Sequence, residues 1–194
     1  GGEEAGGGAL FIGTENSEIR VYQTIFTRCQ AKYDGGAVFL YETNANITFE
    51  NCDFIGCSST LRGGAAYLYQ GNSDVTFNAC NFTRCSCDQY GGAMTLYQIN
   101  SHIRLNSCLF SGCSTGRFGG ASNVFEGNSD VTIDSSLFDS CSAQQNGGAV
   151  YLYADNFDFY FKSCIFTNCS ATENGGVAYL DLSNTEIRFI SSHF

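Results

Sequence analysis

The residues that could carry out acid–base chemistry stand in one sequence register. Asp74, His102 and Asp130 follow one another at equal 28-residue intervals, and two carboxylates facing one groove are what a glycoside hydrolase requires. Asp155 and Asp158 add a second acidic pair. Asp side chains also form turns, however, because they bond their own backbone. We therefore expect no catalytic residues, and a polysaccharide-degrading enzyme is the least favoured of the functions considered below.

The cysteines are the second reactive group, and ten of the eleven recur at 28-residue spacing in two columns. The first column comprises Cys29, Cys57, Cys85, Cys113, Cys141 and Cys169, and the second comprises Cys52, Cys80, Cys108 and Cys164. One interpretation is a pair of ladders of buried thiols. The other is a set of disulfides, either between neighbouring repeats, which lie within disulfide range, or within one repeat. The within-repeat pairs would be Cys52–Cys57, Cys80–Cys85, Cys108–Cys113 and Cys164–Cys169.

Metal and sugar attachment are the remaining chemistry that the residue types suggest. The Cys-x4-Cys spacing lacks a closed set of four ligands with a nearby His, so no zinc site and no cofactor are predicted. Three N-glycosylation sequons begin at Asn46, Asn81 and Asn168, and each asparagine is expected in a turn or facing outwards. Together with the cysteine content, the sequons favour an extracellular, cell-surface location in a eukaryotic source.

A Gly-Gly motif that returns with a 28-residue period positions all of these side chains. It begins at Gly7, Gly35, Gly63, Gly91, Gly119, Gly147 and Gly175, without insertion or deletion. We number each repeat, or coil, from this first glycine as position 1. A fixed period in this range is the signature of a stacked repeat array. Adjacent glycines indicate a corner, because residues without Cβ allow positive φ and close approach between coils.

Each coil also carries apolar residues two apart, which is strand periodicity. Val38 and Leu40 occupy positions 4 and 6, Val75 and Phe77 occupy positions 13 and 15, and position 20 is Phe in every coil. The sequence therefore predicts an all-β fold, a right-handed single-stranded parallel β-helix of the pectin-lyase-like kind, with seven 28-residue coils and three short strands per coil. Residues 1–194 would form one domain, expected to be a fragment or repeat unit of a longer chain.

Two aromatic columns are expected to face outwards, at positions 5 and 7. Position 5 carries Phe11, Phe39, Tyr67, Tyr151 and Tyr179, and position 7 carries Tyr41, Tyr69, Tyr97, Phe125 and Tyr153. Ring stacking along the column would stabilise the sheet itself. A contiguous apolar face also marks an interface, which could be lateral packing against another copy or a platform for sugar rings.

The repeats resemble those of the chlamydial polymorphic membrane proteins and similar repeat proteins of protist surfaces. The resemblance rests on Phe-x-x-Asn followed by Gly-Gly, as in Phe166-Thr167-Asn168-Cys169 before Gly175-Gly176, and on Phe54-Ile55-Gly56-Cys57 before Gly63-Gly64-Ala65-Ala66. It covers the whole chain, with Cys where that family has Asn. The resemblance implies a surface-exposed β-helix with an adhesive role.

Net charge and hydropathy limit the classes of partner that this chain is expected to have. A net charge of −10 argues against nucleic acid, and no apolar run has the length of a membrane span. The favoured function is a non-catalytic extracellular structural or adhesive β-solenoid, part of a surface stalk or end-to-end fibre, with homotypic head-to-tail or lateral contacts. The alternative is a carbohydrate-binding β-helix that uses the tyrosine face for surface glycans. A pectate-lyase-like enzyme comes last.

Overall fold

The computed structural model describes residues 6–194, which form a parallel β-helix. Every strand pairs in parallel with its counterpart in the coil before or after it, for example Phe82 with Phe54 and with Phe110. The predicted β-helix with 28-residue coils is therefore confirmed. No helix in residues 6–194 has the length and hydropathy needed to cross a membrane.

The strands, numbered in chain order, form four sheets along the axis. Sheet 1 contains β1 (Leu10–Ile12), β5 (Val38–Glu42), β9 (Ala66–Gln70), β13 (Met94–Gln98), β17 (Ser122–Val124), β21 (Val150–Leu152) and β25 (Ala178–Leu180). Sheet 2 contains β2 (Arg20–Tyr22), β6 (Ala45–Glu50), β10 (Ser73–Asn78), β14 (Ser101–Asn106), β18 (Ser129–Asp134), β22 (Phe157–Lys162) and β26 (Thr185–Ile190). Sheet 3 contains β3 (Ile25–Thr27), β7 (Asp53–Ile55), β11 (Asn81–Thr83), β15 (Leu109–Ser111), β19 (Leu137–Asp139) and β23 (Ile165–Thr167). Sheet 4 contains β4 (Gln30–Ala31), β8 (Ser58–Ser59), β12 (Ser86–Cys87), β16 (Ser114–Thr115), β20 (Ser142–Ala143) and β24 (Ser170–Ala171).

The predicted count of three strands per coil is wrong by one. Sheet 4 consists of strands of two residues each at positions 24 and 25, such as Ser86–Cys87. Strands this short show no alternation, so sequence periodicity does not reveal them. They pair from coil to coil like the longer strands.

The Gly-Gly corner is required by geometry at both of its positions. Gly119 has φ of 70°, in the left-handed region. A Cβ added to Gly120 would lie 1.9 Å from the carbonyl oxygen of Gly148 in the next coil. A side chain at either position would therefore strain the backbone or force the coils apart.

The interior is a set of side-chain columns stacked along the axis, and the column at position 20 is Phe throughout. At position 20, the rings of Phe54 and Phe82 are parallel within 4° with centroids 4.6 Å apart, and Phe110 continues the stack at 4.8 Å. All three rings are fully buried. Every pair of neighbouring strands in sheet 3 therefore adds both backbone hydrogen bonds and a ring contact at one spacing.

A ladder of asparagines at position 10 fixes the turn between sheets 1 and 2. Asn72 donates from its backbone N to Oδ1 of Asn100 at 3.0 Å and from its Nδ2 to the same oxygen at 3.1 Å. Asn100 bonds in the same way to Asn128. These amides are fully buried, so each coil satisfies polar groups of the coil before it.

Candidate functional site

Most of the position-5 aromatic column is buried, contrary to the expectation that it faces solvent. Phe39 and Tyr67 are buried and Tyr151 is 4% exposed, whereas Phe11 at the end of the column is 51% exposed. Strand alternation does turn Tyr67 outwards, because the residues on either side of it lie in the inner core. The covering layer comes from position 28, where residues pair coil to coil beside sheet 1. That column comprises Asp34, Arg62, Tyr90, Phe118, Asn146 and Asn174.

In the second and third coils this outer layer is closed by one cation. Nη1 of Arg62 lies 3.2 Å from the Tyr67 hydroxyl and 3.5 Å from Oδ2 of Asp34. The guanidinium carbon lies 4.7 Å from the ring centroid of Tyr97 and 5.7 Å from that of Tyr67. Burial raises the pKa of Tyr67, so its hydroxyl stays protonated and neutral. The charge of Arg62 is thus paired with that of Asp34, and the Arg62 side chain fills the space above sheet 1.

In the fourth and fifth coils the position-5 column is interrupted by smaller polar residues. Thr95 and Asn123 stand in register between Tyr67 and Tyr151. Thr95 Oγ1 donates to the carbonyl oxygen of Tyr90 at 3.0 Å. The interruption removes two rings from the sheet and leaves the position-28 rings to enclose the space above it.

The result is a cavity of about 280 Å³ on the outer side of sheet 1. Its aromatic lining consists of Tyr90, Tyr97, Phe118, Phe125, Tyr151 and Tyr153, and its polar lining of Gln98 and Glu126. Nε2 of Gln98 donates to Oε2 of Glu126 at 3.2 Å. An aromatic concavity with a few polar groups at one side is the usual composition of a small-ligand site.

The rings around the cavity meet at both steep and shallow angles. Phe125 lies 5.1 Å from Tyr90 at 66°, 5.0 Å from Tyr97 at 60° and 6.2 Å from Tyr153 at 66°. On the far side, Phe118 stacks on Tyr151 at 4.7 Å and 22°. Ring faces and ring edges are therefore both presented to the enclosed space.

Asn123 is a buried amide with unmet hydrogen-bonding capacity in the same coil as Phe125. Its side chain is fully buried, and neither Oδ1 nor Nδ2 has a partner among the described residues. Such a group costs on the order of 1–3 kcal/mol in stability. Because native proteins pair nearly all of their buried polar groups, the unpaired amide of Asn123 marks this coil as unusual.

The sequence predicted part of this site. Tyr97, Phe125, Tyr151 and Tyr153 line the cavity, as members of the proposed aromatic face. Tyr41 and Tyr69 continue the same column outside the cavity, stacked at 5.2 Å. Tyr179 stacks on Tyr151 at 5.6 Å. The lining residues that sequence reasoning missed are Tyr90, Phe118, Gln98 and Glu126. For Tyr90 and Phe118 the signal was an aromatic residue immediately before Gly-Gly in two successive coils.

The acidic column lies at the start of the sheet 2 strands, and one member forms a surface ion pair. Asp74, His102 and Asp130 are the second residues of β10, β14 and β18 and have φ of 52°, 54° and 47°, in the left-handed region. Oδ2 of Asp130 lies 2.8 Å from Nη2 of Arg104, which lowers the pKa of that carboxyl, and 3.5 Å from Nε2 of His102. Asp74 lines a separate shallow surface with Thr48. Among the described residues, no group of three metal-ligating side chains converges.

The cysteines form ladders of thiols, and the within-coil disulfides are not formed. All eleven are free, including Cys52, Cys57, Cys80, Cys85, Cys108, Cys113, Cys164 and Cys169. The thiols of the two columns are directed to carbonyls instead: Cys80 Sγ donates to Phe49 O at 3.4 Å, and Cys85 Sγ to Phe54 O at 3.3 Å. Cys87, outside the columns, accepts a hydrogen bond from Ser59 Oγ at 3.5 Å. Burial raises the pKa of Cys80 and Cys108 to about 12.

The sequon asparagines differ in accessibility. Asn46 and Asn168 are exposed, whereas Asn81 is half-buried and donates to Oδ1 of Asp53 at 2.8 Å. Asn168 donates to Oδ1 of Asp139 at 3.3 Å. Glycosylation at the three sites stays a prediction.

Comparison with known proteins places the fold in a family. A search of curated proteins found no match. The profile described as "Right handed beta helix region" matches residues 3–138, well over half of the chain. The narrower resemblance to polymorphic membrane proteins is not confirmed and stays a prediction. The match agrees with the stacked coils and the parallel sheets described above, and the chain belongs to the right-handed β-helix family.

Proposed function

We propose that this chain is a non-catalytic, extracellular adhesive β-solenoid that binds carbohydrate in the aromatic cavity on sheet 1. The observation that carries the proposal is the cavity itself, in which six aromatic side chains enclose about 280 Å³. Ligand pockets in proteins are mostly apolar, with few polar groups, and start near ~300 Å³. The size therefore suits a single sugar ring, such as one unit of a longer glycan.

The chemistry of the lining favours a sugar over a purely apolar ligand. The carbon-bound hydrogens of a pyranose form an apolar face that packs against aromatic rings, and its hydroxyls need hydrogen-bonding partners at the rim. Gln98 and Glu126 stand at the rim and already bond to each other at 3.2 Å. Three of the lining rings are tyrosines of the position-7 and position-28 columns, which add hydroxyl groups to an apolar body.

The rest of the fold supports a binding role without catalysis. Asp130, the carboxylate best placed for acid–base chemistry, accepts a hydrogen bond from Arg104 and has a lowered pKa. A general acid would need a raised pKa. The stacked ladders of Phe and Asn make a stiff column that presents the cavity in a fixed geometry. The homotypic end-to-end and lateral contacts predicted from the sequence stay predictions.

The experiment is glycan-array screening of residues 1–194, followed by calorimetry with the best glycan. Tyr97→Ala removes a cavity wall and is expected to weaken binding by about tenfold or more, since truncating an aromatic residue at the centre of a binding site commonly costs ~2 kcal/mol or more. Tyr41→Ala is the matched control: it belongs to the same position-7 column but lies outside the cavity. No glycan bound by the array, or equal losses in the two variants, would overturn the proposal.

A further inference from the structure

From the geometry of the same cavity we infer that its ligand carries a positive charge: the bound unit is an amino sugar with a protonated amine. This inference rests on the proposed carbohydrate function and narrows it to one substrate class. Three features of the described residues support it: the ring angles, the charge at the rim and a cation already held on the same aromatic surface.

The ring angles favour a compact cation over a flat neutral ring. A sugar that only stacks needs a flat platform, such as the parallel pair Tyr41–Tyr69 at 11°. The cavity differs, because it combines the nearly parallel pair Phe118–Tyr151 at 22° with Phe125, which meets both Tyr90 and Tyr97 at 60° or more. Aromatic faces carry negative potential, and rings that surround one point from several sides form the cage that recognises ammonium groups.

The charge at the rim has the matching sign. Glu126 is the charged residue of the cavity lining, and its Oε2 accepts a hydrogen bond from Gln98. The chain as a whole has a net charge of −10. A negative field of this kind raises the local concentration of cations and disfavours acidic sugars.

The protein already holds a cation on the adjoining part of this surface. The guanidinium of Arg62 lies 4.7 Å from the ring centroid of Tyr97, and Asp34 supplies the carboxylate 3.5 Å away. Because Asp34 neutralises it, Arg62 does not repel a second cation. The cavity offers the same combination. Phe125 and Tyr153 correspond to the ring of Tyr97, and Glu126 corresponds to the carboxylate of Asp34. The ligand would supply the cation.

The test compares probes that differ in charge. A glucosamine tetramer and its fully N-acetylated counterpart share one backbone, but only the first carries protonated amines. We expect the glucosamine tetramer to bind residues 1–194 about tenfold more tightly, equivalent to ~1.4 kcal/mol, because a cation–π contact in a partly open cavity lies between the exposed and the desolvated cases. Choline is the third probe and carries a cation without a sugar.

Two variants locate the effect in the cavity. Phe125→Leu keeps an apolar wall without a π face, and Glu126→Gln keeps the shape without the charge. Each should reduce the preference for the charged tetramer to less than about half of its original value. Glu42→Gln is the matched control, since it changes the same coil position outside the cavity. Melting curves confirm that each variant is folded.

The outcomes separate the two proposals. Preference for the charged tetramer that is lost in Phe125→Leu and kept in Glu42→Gln supports both. Equal binding of the two tetramers overturns the charge inference and leaves carbohydrate binding standing. Binding of choline with no binding of either tetramer overturns the carbohydrate proposal and supports a cation site. Binding of none of the probes overturns the charge inference.

Discussion

Two parts of one outer surface differ in a way that the shared fold does not explain. Above sheet 1, the second and third coils are closed by Arg62, which contacts Tyr67 and Tyr97. The fourth to sixth coils use the same strands, register and position-28 column, yet enclose a cavity. The difference lies in residue identity at two coil positions, where Arg62 and Tyr67 give way first to Tyr90 and Thr95 and then to Phe118 and Asn123. In a solenoid the repeat fixes where side chains stand, and single exchanges decide whether a surface is filled.

The two parts also differ in the kind of buried polar group that lacks hydrogen bonds. In the closed part, Nη1 of Arg62 bonds to both Asp34 and Tyr67, while its Nε has no partner among the described residues. In the open part, neither Oδ1 nor Nδ2 of Asn123 has a partner among the described residues. The closed part therefore keeps a paired side chain that is incompletely bonded, and the open part keeps a side-chain amide with no bond, which costs on the order of 1–3 kcal/mol in stability.

Truncating the inner core should give the largest loss of stability, and the loss should be the same under the two parts. Phe54 under the closed part and Phe110 under the open part are both fully buried and stacked on both sides. Phe54→Ala and Phe110→Ala should each lower the free energy of unfolding by about 4 kcal/mol. Urea denaturation measures both. A difference above about 2.5 kcal/mol, wider than the spread among comparable core truncations, would mean that the contrast reaches through sheet 1 into the core.

The closed part should depend strongly on its cation. Arg62→Ala removes the guanidinium beside the carboxylate of Asp34, which is itself nearly buried. We expect the free energy of unfolding to fall by about 3 kcal/mol. Arg117→Ala is the control, because Arg117 is exposed and its removal should change stability by less than about 0.5 kcal/mol.

A double variant tests the assigned cause of that loss. If the loss of the neutralising cation is responsible, Arg62→Ala combined with Asp34→Asn should recover about 1 kcal/mol or more. No recovery would show that Arg62 acts by packing its side chain on the rings rather than by pairing with Asp34.

The open part should become more stable when its unpartnered amide is removed. At the equivalent place one coil earlier, Thr95 donates to the carbonyl oxygen of Tyr90. Asn123→Thr can make the same bond to Phe118, so we expect a gain of about 1 kcal/mol, or ~2–4 °C in Tm. Thr95→Asn is the reciprocal control and should lose a similar amount. A lower Tm in Asn123→Thr would contradict the assignment.

The fold could be predicted because every coil repeats the same information. Phe at position 20 and apolar pairs such as Val75 and Phe77 recur without gaps, so the stacked column follows from the period. Sheet 4 could not, because two-residue strands such as Ser86–Cys87 have no alternation to detect. The asparagine ladder was visible as a 28-residue recurrence of residues such as Asn72 and Asn100. Their ordinary role as turn residues concealed the bonds between coils.

The site could be predicted only in part, because some of its walls follow from strand alternation and others from the packing of one coil against the next. Strand alternation correctly turns Tyr67 and Tyr151 away from the core. It does not reveal that position-28 side chains, such as Tyr90 and Phe118, cover the same surface. That arrangement depends on how the Gly-Gly corner folds one coil beside the next. Periodicity identified the aromatic face, and tertiary packing decided that it is buried in one part and concave in another.

Breaking a charge pair on the outer surface should have the smallest effect on stability. It serves as a reference for the buried pair Asp34–Arg62. Asp130 and Arg104 contact at 2.8 Å, but their side chains are 37% and 34% exposed. Asp130→Asn should therefore cost less than about 1 kcal/mol at neutral pH. Arg104 lowers the pKa of Asp130, so this stabilisation is present above the ordinary carboxyl pKa of about 4. It disappears as the pH falls through the lowered value. Denaturation of wild type and Asp130→Asn between neutral and strongly acidic pH should thus give curves that converge in acid. A gap that stays constant down to strong acid would mean that Asp130 acts through its turn conformation and not through its charge.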